Sequence, residues 1–182
     1  MHLEKILEDN QLIPVVSADT IEEANLVLEK LRAKKIKIVE FTLRTPNAFD
    51  VIEQIKKENR DFVIGIGTIV TIEQFRKARF LEVDFYVSPG SNVELLEFAR
   101  EHNIDYLPGA VTPFEIMTAI QYHFKIIKFF PAEAMGGVKL LKNYSSVFSD
   151  IKFCATGGIT AFNQQEYLDQ KNIIAIGSSS LI

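Results

Sequence analysis

The chain has 182 residues, 47% of them hydrophobic and 24% charged, which suits one domain with a sizeable core. Its formal charge of −4 argues against a nucleic-acid partner, whose phosphates call for a basic surface. A lone cysteine excludes an intrachain disulfide, and no apolar run approaches the roughly 20 residues of a membrane span.

Residues 3–10 read as an opening helix. Short apolar runs then mark strands at 12–18, 36–43, 63–69, 84–88, 105–110, 126–131, 152–157 and 173–178. Between them, 20–33, 46–59, 71–80, 92–102, 113–122, 138–147 and 162–170 carry helical spacing. The second of these places Phe49, Ile52 and Ile55 on one face, with Asp50, Glu53 and Lys57 opposite. Thr45-Pro46 and Thr112-Pro113 read as helix starts, and Thr71 with Gln74 as a capping box.

Strands alternating with helices, none joined by a hairpin turn, imply parallel order and right-handed crossovers. A compact (β/α)8 TIM barrel of the α/β class satisfies that order, and an open doubly wound sheet is the rival. Such barrels usually run to about 250 residues, so the loops here must be lean. The opening helix would plug the bottom of the barrel. The sequence stops just after the eighth strand, and the barrel is expected to lack its final helix. Residues 1–182 are expected to form one barrel domain. The start, Met1-His2-Leu3-Glu4-Lys5, lacks the layout of a signal peptide, and with Cys154 unpaired the reading is a cytoplasmic protein.

Alternation along the strands then separates chemistry from packing. In the second strand Val39, Phe41 and Leu43 should meet the helices, so Glu40, Thr42 and Arg44 point into the barrel. In the sixth, Ile127 and Phe129 face out while Lys128 and Phe130 face in. A carboxylate and two cations would share a confined interior, which is costly unless they are paired or functional. The bland alternative is a buried salt bridge that merely fills the barrel.

Gly65-Ile66-Gly67-Thr68, Ser88-Pro89-Gly90, Pro108-Gly109 and Thr156-Gly157-Gly158 fall where strands give way to loops, the rim that carries active sites in such barrels. Gly157-Gly158, with Gly177-Ser178-Ser179 after the last strand, reads as a phosphate site, since glycines let N–H groups approach an anion. Gly65-Ile66-Gly67 lacks the third glycine of a dinucleotide fingerprint. His2, His102 and His123 are scattered, without metal-ligand spacing, and Cys154 reads as a small buried hydrophobe.

Taken together, Glu40-Phe41-Thr42-Leu43-Arg44-Thr45, Gly65-x-Gly67-Thr68, Ser88-Pro89-Gly90, Pro108-Gly109, Lys128-Phe129-Phe130-Pro131-Ala132-Glu133 and Thr156-Gly157-Gly158-Ile159 closely resemble the KDPG/KHG aldolase family. These are 2-keto-3-deoxy-6-phosphogluconate and 4-hydroxy-2-oxoglutarate aldolases, and the resemblance spans nearly the whole chain in order. It implies a class I aldolase in which Lys128 forms a Schiff base with a 2-keto acid and Glu40 shuttles protons. Arg44 and Thr68 would meet the pyruvoyl carboxylate, with Pro89 and Phe130 shaping the pocket. Thr156, Gly157, Gly158, Ser178 and Ser179 would line the rest of the substrate site, the glycines and Ser179 holding phosphate. No metal or cofactor is implied, and the family is typically a homotrimer. Three departures touch the phosphate side: Ala155 stands where proline is common, and Ser178 and Ser180 where glycine and tryptophan are common.

For Lys128 to act as a nucleophile its ammonium form must be disfavoured, which desolvation beside Phe130 and the nearby Arg44 cation would do. Two other readings compete: a phosphosugar epimerase or decarboxylase on the same barrel, and a non-catalytic barrel that binds a sugar phosphate.

Overall fold

The computed structural model describes residues 2–182. The elements are α1 (His2–Asp9), β1 (Leu12–Val16), α2 (Ile21–Ala33), β2 (Ile38–Thr42), α3 (Ala48–Glu58), β3 (Val63–Gly67), α4 (Ile72–Arg79) and β4 (Phe85–Val87). They continue with α5 (Val93–Glu101), β5 (Tyr106–Leu107), α6 (Pro113–Gln121), β6 (Ile126–Phe129), α7 (Gly137–Val147), β7 (Lys152–Thr156), α8 (Gln164–Leu168) and β8 (Ile173–Ser178). The strand order is β5-β4-β3-β2-β1-β8-β7-β6, parallel throughout.

The two ends of that order meet. Lys128 donates its N–H to the Pro108 carbonyl (2.8 Å) and accepts the Ala110 N–H (2.9 Å), forming a parallel bridge between Gly109 and Lys128. The sheet is therefore a (β/α)8 barrel and not an open doubly wound sheet. After β8 the described residues add only a 3-10 turn, Ser179–Leu181.

Helix starts follow from local chemistry. Thr71 with Gln74, and Thr112 with Glu115, form reciprocal capping boxes, and Pro113 occupies the first turn of α6. Thr45-Pro46 does not start a helix. The Thr45 hydroxyl donates to the Ala18 carbonyl instead (2.8 Å), and α3 begins at Ala48. β5 is shorter than the expected 105–110 because Pro108 has no N–H with which to continue the ladder. The helix expected over 162–170 shrinks to α8. The Asn163 side chain accepts the Thr160 N–H (2.7 Å) and holds the preceding residues in a turn.

Burial divides each strand as the alternation requires. Val39, Phe41, Ile127, Phe129, Phe153 and Ala155 join the layer between barrel and helices. Ile13, Ile38, Phe85, Val87, Leu107, Cys154 and Ile174 fill the lower interior. α1 closes that lower end, inserting Leu3, Ile6 and Leu7 among them. Asp105, at the foot of β5, accepts the Leu3 N–H (2.9 Å) and so caps this plug. The expected opening helix is thus present and does what its position suggested.

Leu7 is wholly buried. Leu7→Ala should lower unfolding free energy by about 2–5 kcal/mol, the usual cost of such a cavity. Urea denaturation would measure it; a loss below about 0.5 kcal/mol, typical of a surface substitution, would mean that α1 does not seal the barrel.

Candidate active site

Above the apolar floor the interior turns polar. β2 carries Glu40 inward from one side, and β6 carries Lys128 inward from the other. Lys128 Nζ lies 3.1 Å and 3.3 Å from the two Glu40 carboxylate oxygens. The residues are 4% and 3% exposed, respectively. The Phe130 ring centroid is 5.7 Å from Nζ, within cation–π range. Desolvating both charges costs much of what their attraction returns, so such a pair is weak evidence of a stabilising role.

The pair fits only because its neighbours lack side chains. Glu40 pairs in register with Gly65, and a Cβ on Gly67 would lie 2.0 Å from Glu40 Oε1. A Cβ on Gly65 would strike the Phe85 ring at 2.3 Å. Gly109, opposite Lys128 at the seam, lies under the Pro89 backbone, where a Cβ would come within 2.3 Å. These glycines read in the sequence as rim turns. Their inward-facing phase beside Glu40 is the signal that could have exposed this second role.

The other expected residues gather at the mouth, with one correction. Arg44 does not enter the interior: β2 ends at Thr42, and Arg44 stands exposed in the following turn. Among the described residues, Lys128 is therefore the one cation buried with Glu40. Thr42 is buried, and its hydroxyl hydrogen-bonds with that of Ser17 (2.6 Å), a pairing the sequence did not suggest. Thr68 adopts φ +64°, a conformation rare for a β-branched residue and common where function maintains strain. Thr68, Pro89, Phe130 and Gly157 are partly exposed there, while Gly158 and Ser179 are open to solvent.

Thr156 faces inward beside Gly177, 6% exposed, and its Oγ1 has no hydrogen-bond partner among the described residues. A buried hydroxyl left unpaired is costly, which suits a donor kept for a ligand. Ser178 differs. Its hydroxyl donates to the Ile159 carbonyl (2.6 Å) and also meets Ser180, bracing β8 against the loop after β7. Gly157 and Gly158 have φ +103° and +76°, conformations that favour glycine.

Among the described residues no group of three or more His, Cys, Asp or Glu side chains is placed to hold a metal. Cys154 is paired in register with Lys128, and burial pushes its thiol up to about 12 despite the neighbouring ammonium. No described helix is long and apolar enough to cross a membrane.

Schiff-base-forming aldolases, which are carbon–carbon lyases, work through an inward lysine amine of the kind that Lys128 presents beside Glu40 at the loop-bearing mouth of this (β/α)8 barrel. The family model for KDPG and KHG aldolase matches residues 3–182, and the chain belongs to that family. It is 38% identical to the KHG/KDPG aldolase of Escherichia coli K12 over 98% of this chain and 84% of that protein. The 2-dehydro-3-deoxy-phosphogluconate aldolase of Dickeya dadantii is 36% identical over the same shares. A Legionella pneumophila KDPG aldolase, solved with pyruvate captured at low pH as a covalent carbinolamine intermediate, superposes with a TM-score of 0.95. It is 36% identical, and the match covers 99% of this chain and 87% of that one.

Two outcomes test this arrangement. Gly67→Ala should displace the Glu40 carboxylate and lower aldol turnover by about 10²–10⁴, the scale of lost acid–base help, with circular dichroism unchanged. Wild-type turnover in that variant would mean that the space at Gly67 is not needed to hold the Glu40 carboxylate in place. Thiol reagents attack the thiolate, so Cys154 should stay unmodified at about pH 8 in the native protein and react once urea unfolds it. Rapid native labelling would contradict its burial.

Proposed function

We propose that the protein cleaves 2-keto-3-deoxy-6-phosphogluconate to pyruvate and glyceraldehyde 3-phosphate, and 4-hydroxy-2-oxoglutarate to pyruvate and glyoxylate. The observation carrying this reading is the 3.1 Å contact between Lys128 Nζ and Glu40, both nearly sealed from water. The names of the relatives supply the two substrates.

Passing one proton along that contact turns the ion pair into a neutral amine and a carboxylic acid. The amine adds to the C2 ketone, and Glu40 protonates the departing hydroxyl so that water leaves the carbinolamine. The resulting iminium is an electron sink. Glu40, now a carboxylate, takes the C4 hydroxyl proton while the C3–C4 bond breaks and its electrons form an enamine. The aldehyde departs, the enamine is protonated at C3, and hydrolysis returns pyruvate and the free amine.

Arg44 and Thr68, at the mouth, meet the keto-acid carboxylate, with Pro89 and Phe130 walling the keto end. Thr156, with its free hydroxyl, meets a substrate hydroxyl beyond the bond that breaks. Gly157, Gly158 and Ser179 hold the terminal phosphate. Ser178 serves by holding that rim in place. The described chain is one catalytic barrel domain acting in the cytoplasm on small molecules, as a homotrimer. An outward row on α6, Phe114, Met117 and Ile120, supplies apolar surface of the kind that subunits bury.

Borohydride with pyruvate should fix a covalent adduct on Lys128, located by peptide mass mapping. Lys128→Ala should neither trap pyruvate nor release it from either substrate in a lactate dehydrogenase-coupled assay. Glu40→Gln should lower kcat about 10²–10⁴. Labelling at another lysine, or turnover by Lys128→Ala, would overturn the mechanism.

A further inference from the structure

Behind the Gly157–Gly158 turn sits a second carboxylate that the aldol chemistry does not use. Glu133 follows β6 closely in the chain, and two backbone bonds fasten its segment to the end of β7. Ala132 donates to the Thr156 carbonyl (2.8 Å), and Glu133 to that of Gly157 (3.1 Å). The Glu133 stem runs directly against the turn: a Cβ on Gly158 would lie 2.7 Å from both Glu133 Cβ and Cγ. Its carboxylate accepts a hydrogen bond from the hydroxyl of Tyr167, a residue of α8 that is 1% exposed. A Cβ on Gly137 would come within 2.8 Å of that hydroxyl and 3.0 Å of Glu133 Oε1. The two groups thus occupy a slot left by two glycines, Gly137 and Gly158.

The location matters because of what the turn offers. The N–H groups of Gly158 and Ile159 donate to no acceptor among the described residues, and Gly158 has φ +76°. Adjacent unpaired N–H groups in such a turn suit an oxyanion. Glu133 is an oxyanion fixed by its own stem to the same turn, so its carboxylate is a built-in rival for those donors. Tyr167 holds it beside Gly137.

We infer that Glu133 and Tyr167 are a positioning pair that keeps the Gly157–Gly158 turn open to the phosphate of the substrate, Tyr167 restraining a carboxylate that would otherwise compete with it. This rests on the reading of that turn as the phosphate site. It makes selectivity for phosphorylated keto acids depend on a hydroxyl that touches no substrate.

The test compares 2-keto-3-deoxy-6-phosphogluconate with 4-hydroxy-2-oxoglutarate, which has no phosphate. Tyr167→Phe should raise KM for the first about tenfold, the scale of one misplaced charged hydrogen-bond partner, leaving its kcat within about twofold. KM for the second should not move. Adding Glu133→Gln to Tyr167→Phe should restore the first KM, because a neutral amide is a poor rival for the donors. Equal losses on both substrates, or no rescue, would overturn the proposal and leave the pair as a mere strut. If the wild-type enzyme neither prefers the phosphorylated substrate nor is inhibited by inorganic phosphate, the phosphate site itself is wrong, and the proposal falls with it. Should Tyr167→Phe not fold, Glu133→Gln alone decides. Inhibition by inorganic phosphate should then be as strong as in wild type or stronger, and weaker inhibition would refute the rivalry.

Discussion

Lys128 is fixed twice, and the rest of the structure is arranged around that fact. Its backbone supplies both hydrogen bonds that shut the barrel between β5 and β6, donating to Pro108 and accepting from Ala110. Its side chain turns inward against Glu40. The residue that closes the ring of strands is therefore also the one that turns its amine to Glu40, from a backbone that the seam holds in place. Such fixation is what covalent catalysis requires, because the reacting atoms must be held near bonding distance and angle.

Room for this pair is made by removing side chains. The lower interior is apolar and filled by Ile13, Ile38, Phe85, Leu107 and the three apolar residues of α1. One layer higher, Gly67 yields its volume to the Glu40 carboxylate, and Gly65 yields its own to the Phe85 ring beneath. The change from apolar floor to polar upper layer occurs within two residues on a strand: Ile38 to Glu40 on β2, Cys154 to Thr156 on β7. Packing below keeps water from the underside of the ion pair, which strengthens every charge interaction above it.

Much of this was legible in the residues. Period-two alternation gave the inward phase of Glu40 and Lys128, and capping chemistry marked α4 and α6. The motif order carried the family. Three things were not legible. Arg44 keeps the phase of Glu40, but phase holds only while the strand lasts, and β2 stops at Thr42. Thr45-Pro46 looks like a helix start, yet the hydroxyl finds the Ala18 carbonyl 27 positions away, a tertiary partner that local pattern cannot report. Gly67 reads as part of a rim turn, and Gly137 belongs to no motif. They matter for the atoms they leave room for, Glu40 in one case and the Tyr167–Glu133 contact in the other.

The α1 plug also bears on traffic. Together with the apolar floor it fills the base of the barrel, so a molecule that reaches the amine from the loop-bearing end leaves by that same end. In the cleavage proposed above, the fragment bonded to Lys128 leaves after the aldehyde, which lies nearer the mouth. In the opposite direction the order of entry is reversed. That itinerary would follow from the filled base of the barrel, to which α1 contributes Leu3, Ile6 and Leu7.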